Sequence, residues 1–279
     1  MNTLSRDTSP EVERVYVELL RNAPVWRKVQ QLNDVNRVLS ALTIGALRRR
    51  NPQHSPGELR RQLAEQWLGA TIATRVYGRE MVAGENAMLG NSTPVLLLVI
   101  EQLEKLGVPY LLGGSMASSV HGMLRATLDA DLVVDMRPEQ VDSFVQALAG
   151  AFYVDDAMIH DAITRRTSFN VIHLQSMFKV DLFILKRRRY DVAQFERRAA
   201  QTIDLDPQRT IFVATPEDVI LAKLEWYRLG NEVSERQWSD VLGVLKVQAD
   251  ALDLAYLRYW AAQLDVADLL ERALETAGL

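Results

Sequence analysis

The sequence of 279 residues predicts an α+β fold, in which a mixed β-sheet with flanking helices follows a helical N-terminal domain and precedes a helical tail. Apolar residues recur at helical spacing through residues 1–85, whereas short apolar runs separated by turn residues fill the centre of the chain. Hydroxyl, proline and acids at Thr215-Pro216-Glu217-Asp218 then mark the start of another helical region. We therefore expect domains at residues 1–88, 89–213 and 214–279.

The N-terminal region shows three helix starts. Ser9-Pro10 places a hydroxyl cap before a proline at the first helical position, and a second helix runs over residues 24–50 until Asn51-Pro52 breaks it. Ser55 and Glu58 form a capping box that opens a third helix. We expect a linker over residues 84–94, because glycine, asparagine and serine punctuate it. These helices carry no catalytic constellation, so we interpret them as a cap or as a docking surface for a partner protein.

Strands and helices alternate in the centre, and helices return after it. The expected strands cover residues 108–112, 126–135, 152–154, 169–174, 178–185 and 210–213. The expected helices cover residues 95–106, 115–123, 139–149, a segment from Pro216, 235–248, 254–264 and 266–277. Residues 161–167 show neither a clear helical pattern nor a clear strand pattern.

Composition excludes several kinds of chemistry. The chain has no cysteine, which rules out disulfides, thiolate catalysis and cysteine-bound zinc. Hydrophobic residues make up 48% and charged residues 24%, as in ordinary globular proteins, and the net charge of −4 is not that of a general nucleic-acid binder. The first residues are polar, and no apolar run approaches the roughly 18 residues of a membrane span. We therefore expect a cytoplasmic protein without membrane association.

Three aspartates are the candidate catalytic residues. Asp129 and Asp131 alternate with apolar residues in an expected strand, so both carboxylates lie on one face of it, and Asp181 lies in another apolar run. Carboxylates on one pleat repel each other, and a divalent cation relieves that repulsion. Magnesium prefers carboxylate and phosphate oxygens. If the two strands adjoin, the three acids converge and suffice for two metal ions.

A glycine turn precedes these acids. Gly113 and Gly114 allow close approach of the backbone to a phosphate, and Ser115 opens a helix whose free N–H groups favour an anion. The order of turn, paired acids and third acid is far more specific than either motif alone. It indicates a triphosphate on the turn and metal between the triphosphate and the acids, so that catalysis is mostly positioning and charge neutralisation.

The pattern formed by residues 113–115, 129, 131 and 181 resembles the motif of the nucleotidyltransferase fold in the DNA polymerase β superfamily. Within it, His121-Gly122 with Arg125, Thr127 and Asp129 is similar to the branch of abortive-infection-type (AbiEii-like) toxins and minimal nucleotidyltransferases. The segments 215–224 and 236–241 are similar to later helices of that branch. The resemblance covers residues 95–248 and does not reach the N-terminal helices.

The resemblance implies magnesium-dependent (or manganese-dependent) transfer of a nucleoside monophosphate from a nucleoside triphosphate, such as ATP, to a hydroxyl of RNA or protein, and a toxin–antitoxin or phage-defence role. It implies that Asp129 and Asp131 carry the metals, that Asp181 binds the catalytic metal and activates the acceptor, and that Gly114 and Ser115 contact phosphate. It also implies that Lys223 reaches the triphosphate, although a solvated Lys223 is the alternative.

Other readings of the chain remain open. The protein could be a catalytically silent module of the same fold that binds a nucleotide or a protein partner. The basic run at residues 186–189 could bind RNA or could be a solvated strand end. Lys179 could pair with the acids or touch the nucleotide, Arg125 and Thr127 could be edge residues or could hydrogen-bond the metal-binding loop, and His121 is expected to pack rather than to act as a base.

Overall fold

The computed structural model describes residues 3, 4, 7–77, 92–205 and 208–279. The described residues form thirteen α-helices and seven β-strands, which confirms the predicted α+β class. The helices are α1 (Pro10–Asn22), α2 (Val25–Arg50), α3 (Pro56–Leu68), α4 (Ala70–Tyr77), α5 (Ser92–Lys105), α6 (Gly114–His121), α7 (Val141–Leu148), α8 (Asp156–Arg165), α9 (Arg189–Arg197), α10 (Pro216–Leu229), α11 (Glu235–Gln248), α12 (Leu254–Gln263) and α13 (Ala267–Ala277). The strands are β1 (Tyr110–Leu112), β2 (Asp129–Val134), β3 (Phe152–Tyr153), β4 (Ser168–His173), β5 (Lys179–Ile184), β6 (Ala199–Leu205) and β7 (Gln208–Val213).

The expected helix starts are present. The Ser9 side chain accepts a hydrogen bond from the N–H of Val12, the Ser55–Glu58 capping box is complete, and the Thr215 side chain accepts from the N–H of Asp218. Most of the expected linker lies outside the described residues, and residues 92–94 already belong to α5. None of the helices in the described residues is long and apolar enough to cross a membrane.

The structure adds four elements that the sequence did not predict: α4, α8, α9 and β6. α8 includes most of the segment 161–167 that gave no clear pattern, and Asp155 caps it by accepting from the N–H of Met158. β6 pairs antiparallel with β7, and most of its side chains are at least partly exposed. Its residues therefore lack the apolar run by which the other strands were predicted.

The described chain divides into two compact units, and each of them draws on separate stretches of sequence. The second unit comprises residues 32–110 and 126–185, with strand order β3-β4-β5-β2. β5 pairs parallel with β2 and antiparallel with β4, so this part of the sheet is mixed. Ala130, Leu132, Val180 and Leu182 are fully buried, and the residues between them on the same strands face the other way.

The first unit comprises residues 1–31, 111–125 and 186–279. Its strands pair in the order β1-β7-β6, with β7 parallel to β1 and antiparallel to β6. Helix α6 comes so close to α11 that a Cβ at Gly122 would lie 2.7 Å from the backbone nitrogen of Val244. The sequence predicted three consecutive domains, whereas each compact unit combines separate stretches of the chain. The division into three domains remains a prediction.

Candidate active site

The second unit brings the three predicted aspartates onto two neighbouring strands. In the parallel register of β2 and β5, Asp131 is the direct partner of Asp181, and Asp129 is the partner of Lys179. Directly opposite residues project to the same face of a sheet, and so do alternate residues of one strand. Asp129, Asp131, Lys179 and Asp181 therefore share one face of the strand pair. The expected convergence of the acids depends on this register, since a shift by one residue would turn one strand's acids to the other face.

Polar contacts hold the chain just before Asp129. The Thr127 hydroxyl donates to Oδ1 of Asp129 at 2.7 Å, and the Thr127 N–H donates to Oδ1 of Asn36 at 2.9 Å. Asn36 is itself buried and donates to the Ser92 hydroxyl at 3.0 Å. Of the two readings of Thr127, the structure thus supports a hydrogen bond to the acid rather than an edge position. This bond fixes one oxygen of Asp129 while leaving its other oxygen to a different partner.

Lys179 forms an ion pair with Asp181. Burial nevertheless raises the pKa of Asp181, and the negative charge of Asp129 acts in the same direction, whereas the bond from Lys179 only partly opposes them. Lys179 is therefore the present counterion of the acidic face. In the part of the chain that the structure describes, no group of three or more His, Asp or Glu side chains is arranged to hold a metal ion.

The first unit holds the glycine turn and Ser115. Gly113 is the N-cap of α6, and Gly114 has a φ of +57°, a conformation that a glycine adopts without strain. No side chain caps this helix end. The Ser115 hydroxyl accepts a hydrogen bond of 2.7 Å from Nη2 of Arg125. An arginine thus stands at the helix terminus where the sequence predicts phosphate binding.

Arg125 belongs to a buried ionic cluster that also includes Asp240 of α11 and Lys223 of α10. Nε and Nη2 of Arg125 donate to the two oxygens of Asp240, each at 2.9 Å, and Nζ of Lys223 donates to Oδ2 at 2.8 Å. The Asp240 and Lys223 side chains are 6% and 7% exposed, and that of Arg125 is 27% exposed. Two cations thus share the carboxylate of Asp240 beside Ser115.

The electrostatics of Asp240 follow from this arrangement. Burial acts to raise the pKa of Asp240, but the hydrogen bonds and charges of Arg125 and Lys223 together outweigh it and hold the pKa below its ordinary value. Asp240 is therefore ionised at neutral pH. It orients the guanidinium of Arg125, which in turn orients the hydroxyl of Ser115.

The predicted residues thus fall into two groups, each within its own unit. Asp129, Asp131, Asp181 and Lys179 lie on the β2–β5 face, whereas Gly113, Gly114, Ser115 and Lys223 lie in the first unit. Lys223, expected at the triphosphate, is buried and bonded to Asp240. His121 packs as expected: its Nε2–H donates to the carbonyl of Ala214 at 2.7 Å, and burial lowers its pKa to about 4.

Sequence reasoning did not assign a role to Asp240. The available signal is an aspartate among Val241, Leu242 and Val244 on an otherwise apolar stretch of α11, because a buried carboxylate requires a cationic partner. The identity of that partner could not be read from the chain, since Arg125 lies 115 residues away.

The sequence matches no protein-family profile, and no curated protein is significantly similar to it. Seven solved chains align with this chain, and two of them are as follows. One is the antibiotic-resistance factor ANT(2'')-Ia, at 12% identity over 66% of this chain and 92% of that chain, with a TM-score of 0.39. The other is an antigenic nucleotidyltransferase-like protein from Paracoccidioides brasiliensis, at 14% identity over 67% and 94%, with a TM-score of 0.41. At these values neither alignment assigns an activity, a substrate or a site residue to this chain.

Proposed function

We propose that this protein is a nucleotidyltransferase, which transfers a nucleoside monophosphate from a nucleoside triphosphate to a hydroxyl group of RNA or protein. The observation that carries the proposal is the register of β2 and β5, which sets Asp131 opposite Asp181 and Asp129 on the same face. Carboxylates repel each other in such an arrangement, and nothing in packing or strand formation requires it. A site for divalent cations and phosphate accounts for it.

The donor set suits magnesium or manganese, because all the candidate ligands are carboxylate oxygens. The side chains of Asp129, Asp131 and Asp181 are not arranged as a metal site while Lys179 bonds to Asp181. They would hold the ion together only once Lys179 exchanges that bond for a different anion, such as a phosphate oxygen. When bound, the ion would neutralise the negative charge that develops on the phosphates. Until then, the ion pair of Lys179 with Asp181 neutralises one of the three carboxylates of this face.

The chain's own residues supply the remaining chemistry. Burial of Asp181 raises its pKa, which makes this carboxylate a better base for the proton of an acceptor hydroxyl. The acceptor oxygen attacks the α-phosphorus, the bond from that phosphorus to the bridging oxygen breaks, and pyrophosphate leaves. Within the first unit by itself, the N–H groups at Gly114 and Ser115 and the guanidinium of Arg125 are suited to bind a phosphate.

The test is label transfer from each α-labelled nucleoside triphosphate to cellular RNA or protein in the presence of Mg²⁺. We expect transfer from at least one nucleotide, and we expect Asp131→Asn to reduce it at least about 100-fold. Asp142→Asn, which removes an exposed acid of α7 in the same unit, is the matched control and should keep the wild-type rate. Transfer by Asp131→Asn at the wild-type rate would sink the proposal.

A second candidate function is a catalytically silent module that binds a nucleotide or a protein partner. The ion pair of Lys179 with Asp181 favours this function, because a lysine side chain can permanently take the place of a metal ion beside Asp181. Calorimetry with a nucleoside triphosphate separates the two functions. Binding without turnover, with Lys179→Met causing no loss of affinity, supports the silent module.

The choice of RNA or protein as acceptor depends on the basic run at residues 186–189, which is exposed between β5 and α9. Arg188 forms ion pairs with Asp191 and Glu225. If RNA is the acceptor, its binding should weaken steeply with salt, and Lys186→Glu should weaken it further. RNA binding that is unaffected by salt and by this substitution points to a protein acceptor. The toxin–antitoxin role rests on the sequence resemblance alone.

A further inference from the structure

Helix α2 presents a row of apolar side chains to solvent. Val35, Val38, Leu39 and Leu42 are 42%, 57%, 38% and 63% exposed. Their spacing of three, four and seven residues places them on one face of the helix. Single exposed apolar residues are ordinary on a protein surface, but a continuous helical row is the contact face of a helix that packs against another element.

The opposite side of this part of α2 is polar, although it is buried. Asn36 and Ser40 are each 2% exposed, and Asn36 hydrogen-bonds the Ser92 hydroxyl and the Thr127 N–H. Asn33 accepts hydrogen bonds from the hydroxyls of Ser92 and Thr93. These polar contacts lie beside apolar ones, since Ile44 and Leu47 of the same helix pack against the buried cluster that includes Leu63 and Leu68. The exposed row is therefore a second apolar face of α2, in addition to the face that packs inward.

Positive charge follows the apolar row directly. Arg48, Arg49 and Arg50 are exposed at the end of α2, and Arg49 lies seven residues after Leu42 on the same face. The intervening Gly45 leaves space over which the Arg49 side chain folds, since a Cβ at Gly45 would lie 3.5 Å from its Nη1. An apolar row that ends in three arginines fits a partner with an apolar row and carboxylates.

The same charges disfavour a second copy of the chain as the occupant. In a parallel pair of α2 helices the two arginine runs would face each other. In an antiparallel pair centred on Val38 and Leu39, Arg50 would face Arg27 of the other copy, at about 1.5 Å of rise per residue. Both arrangements bring like charges together.

We propose that this face of α2 docks an amphipathic, acidic helix of a partner protein. Leucine-like side chains at helical spacing would cover Val35, Val38, Leu39 and Leu42, and glutamates or aspartates beyond them would pair with residues 48–50. This is the recognition of a helix in an apolar groove or on an apolar face, read through anchors at i, i+3, i+4 and i+7. The inference is independent of the proposed enzymatic activity.

The test uses a synthetic helix of about 20 residues, a length at which such peptides begin to form helix in water. The peptide carries leucine at positions i, i+3, i+4 and i+7, and glutamate at the positions near one end that leucine does not occupy. Its binding to the full chain is measured by fluorescence anisotropy. We expect binding that weakens at least about tenfold in Val38→Asp/Leu42→Asp and in Arg48→Glu/Arg49→Glu. Leu229→Asp, at a position of α10 that is 68% exposed, is the control and should bind as the wild type does.

Several outcomes overturn the proposal. A peptide with lysine in place of glutamate that binds equally well removes the role of charge, and unchanged affinity in Val38→Asp/Leu42→Asp removes the role of the apolar row. A concentration-dependent dimer that these substitutions abolish assigns the face to a second copy. If the peptide binds only after residues 78–91 are replaced by a glycine-serine linker, that segment of the chain is the occupant of the face. Circular dichroism shows whether each variant is folded, so loss of binding is not confused with loss of structure.

Discussion

Asp240 is the residue whose environment is most demanding, because it carries one negative charge between two cations away from water. Arg125 reaches both of its oxygens and Lys223 one of them. Such a carboxylate is hard to replace, since its removal takes from both cations an anion that they share in a place where water cannot fully solvate them. The same carboxylate orients the arginine that contacts Ser115.

We therefore expect Asp240→Asn to lower the free energy of unfolding by about 3 kcal/mol, as measured by urea denaturation. In the double variant Asp240→Asn/Lys223→Met about half of that loss should be recovered, because one of the two buried cations that shared the carboxylate is gone. Nucleotide transfer should be slower in both variants than in the wild type. Asp250→Asn, at an exposed position, should change stability by less than about 0.5 kcal/mol. A loss below about 1 kcal/mol for Asp240→Asn contradicts this account.

His121 gives the protein a pH-dependent stability. Burial lowers its pKa from 6.5 to about 4 in the folded chain, so the unfolded chain binds a proton at a higher pH than the folded chain does. Stability that is present above pH 6.5 is therefore lost as the pH falls from about 6.5 towards about 4, by up to about 3 kcal/mol.

His121→Gln keeps a donor for the Ala214 carbonyl and has no group that titrates in this range. Urea denaturation at pH 7.0 and at pH 4.5 should show a markedly smaller loss of stability for this variant than for the wild type. His160→Gln, at an exposed position, is the matched control and should follow the wild type. Parallel pH curves for the wild type and His121→Gln would show that His121 is not the cause.

At the scale of elements, the approach of α6 to α11 brings Ser115 and Asp240 into one cluster. Gly122 makes this approach possible, because a Cβ there would lie 2.7 Å from the nitrogen of Val244 and 2.8 Å from the carbonyl carbon of Gly243. Both atoms belong to the backbone, which cannot turn aside as a flexible side chain would. A methyl group at Gly122 therefore has to push the two helices apart.

We expect Gly122→Ala to destabilise the protein by about 3 kcal/mol and to reduce nucleotide transfer, since α11 carries Asp240. Gly45→Ala in α2 is the matched control, because its nearest neighbour is the end of the Arg49 side chain at 3.5 Å. That control should gain about 0.5–1 kcal/mol from the higher helix propensity of alanine. Thermal unfolding of the two variants measures the contrast, and equal midpoints would contradict it.

The sequence predicted the elements that have strong local signals and missed those that lack them. The hydroxyl caps of α1, α3 and α10 and the alternation in β2 and β5 were sufficient. β6 is a largely exposed strand that exists through its pairing with β7, and α9 begins at the last arginine of a run that reads as solvated surface. Tertiary contacts supply what their own residues do not encode.

At the scale of the whole molecule, ligand binding should appear as global stability. Asp131 lies opposite Asp181 across β2 and β5, so Asp131→Asn removes one of the proposed ligands of the ion. Mg²⁺ should stabilise the wild type, because an ion that binds only the folded state adds stability of about 2.7 kcal/mol at 100 times its dissociation constant.

Thermal unfolding at constant ionic strength should show a Mg²⁺-dependent increase of the midpoint for the wild type and for Asp142→Asn. The midpoint of Asp131→Asn should not increase with Mg²⁺. A Mg²⁺ response in Asp131→Asn equal to that of the wild type would place the ion elsewhere. An added nucleoside triphosphate should enlarge the response of the wild type, because its phosphates supply further ligands.

The sequence by itself determined that Asp129 and Asp131 share one face of a strand, that a helix begins at the glycine turn beside Ser115, and that helices precede and follow the sheet. These features follow from backbone periodicity and capping, which act over a few neighbouring residues. Only the tertiary structure decided that Asp131 faces Asp181, that Lys179 neutralises Asp181, and that Arg125 meets Asp240 and Ser115. Strand register and helix packing are set by contacts between residues far apart in the chain, and no local pattern specifies which of the possible pairings has the lowest free energy.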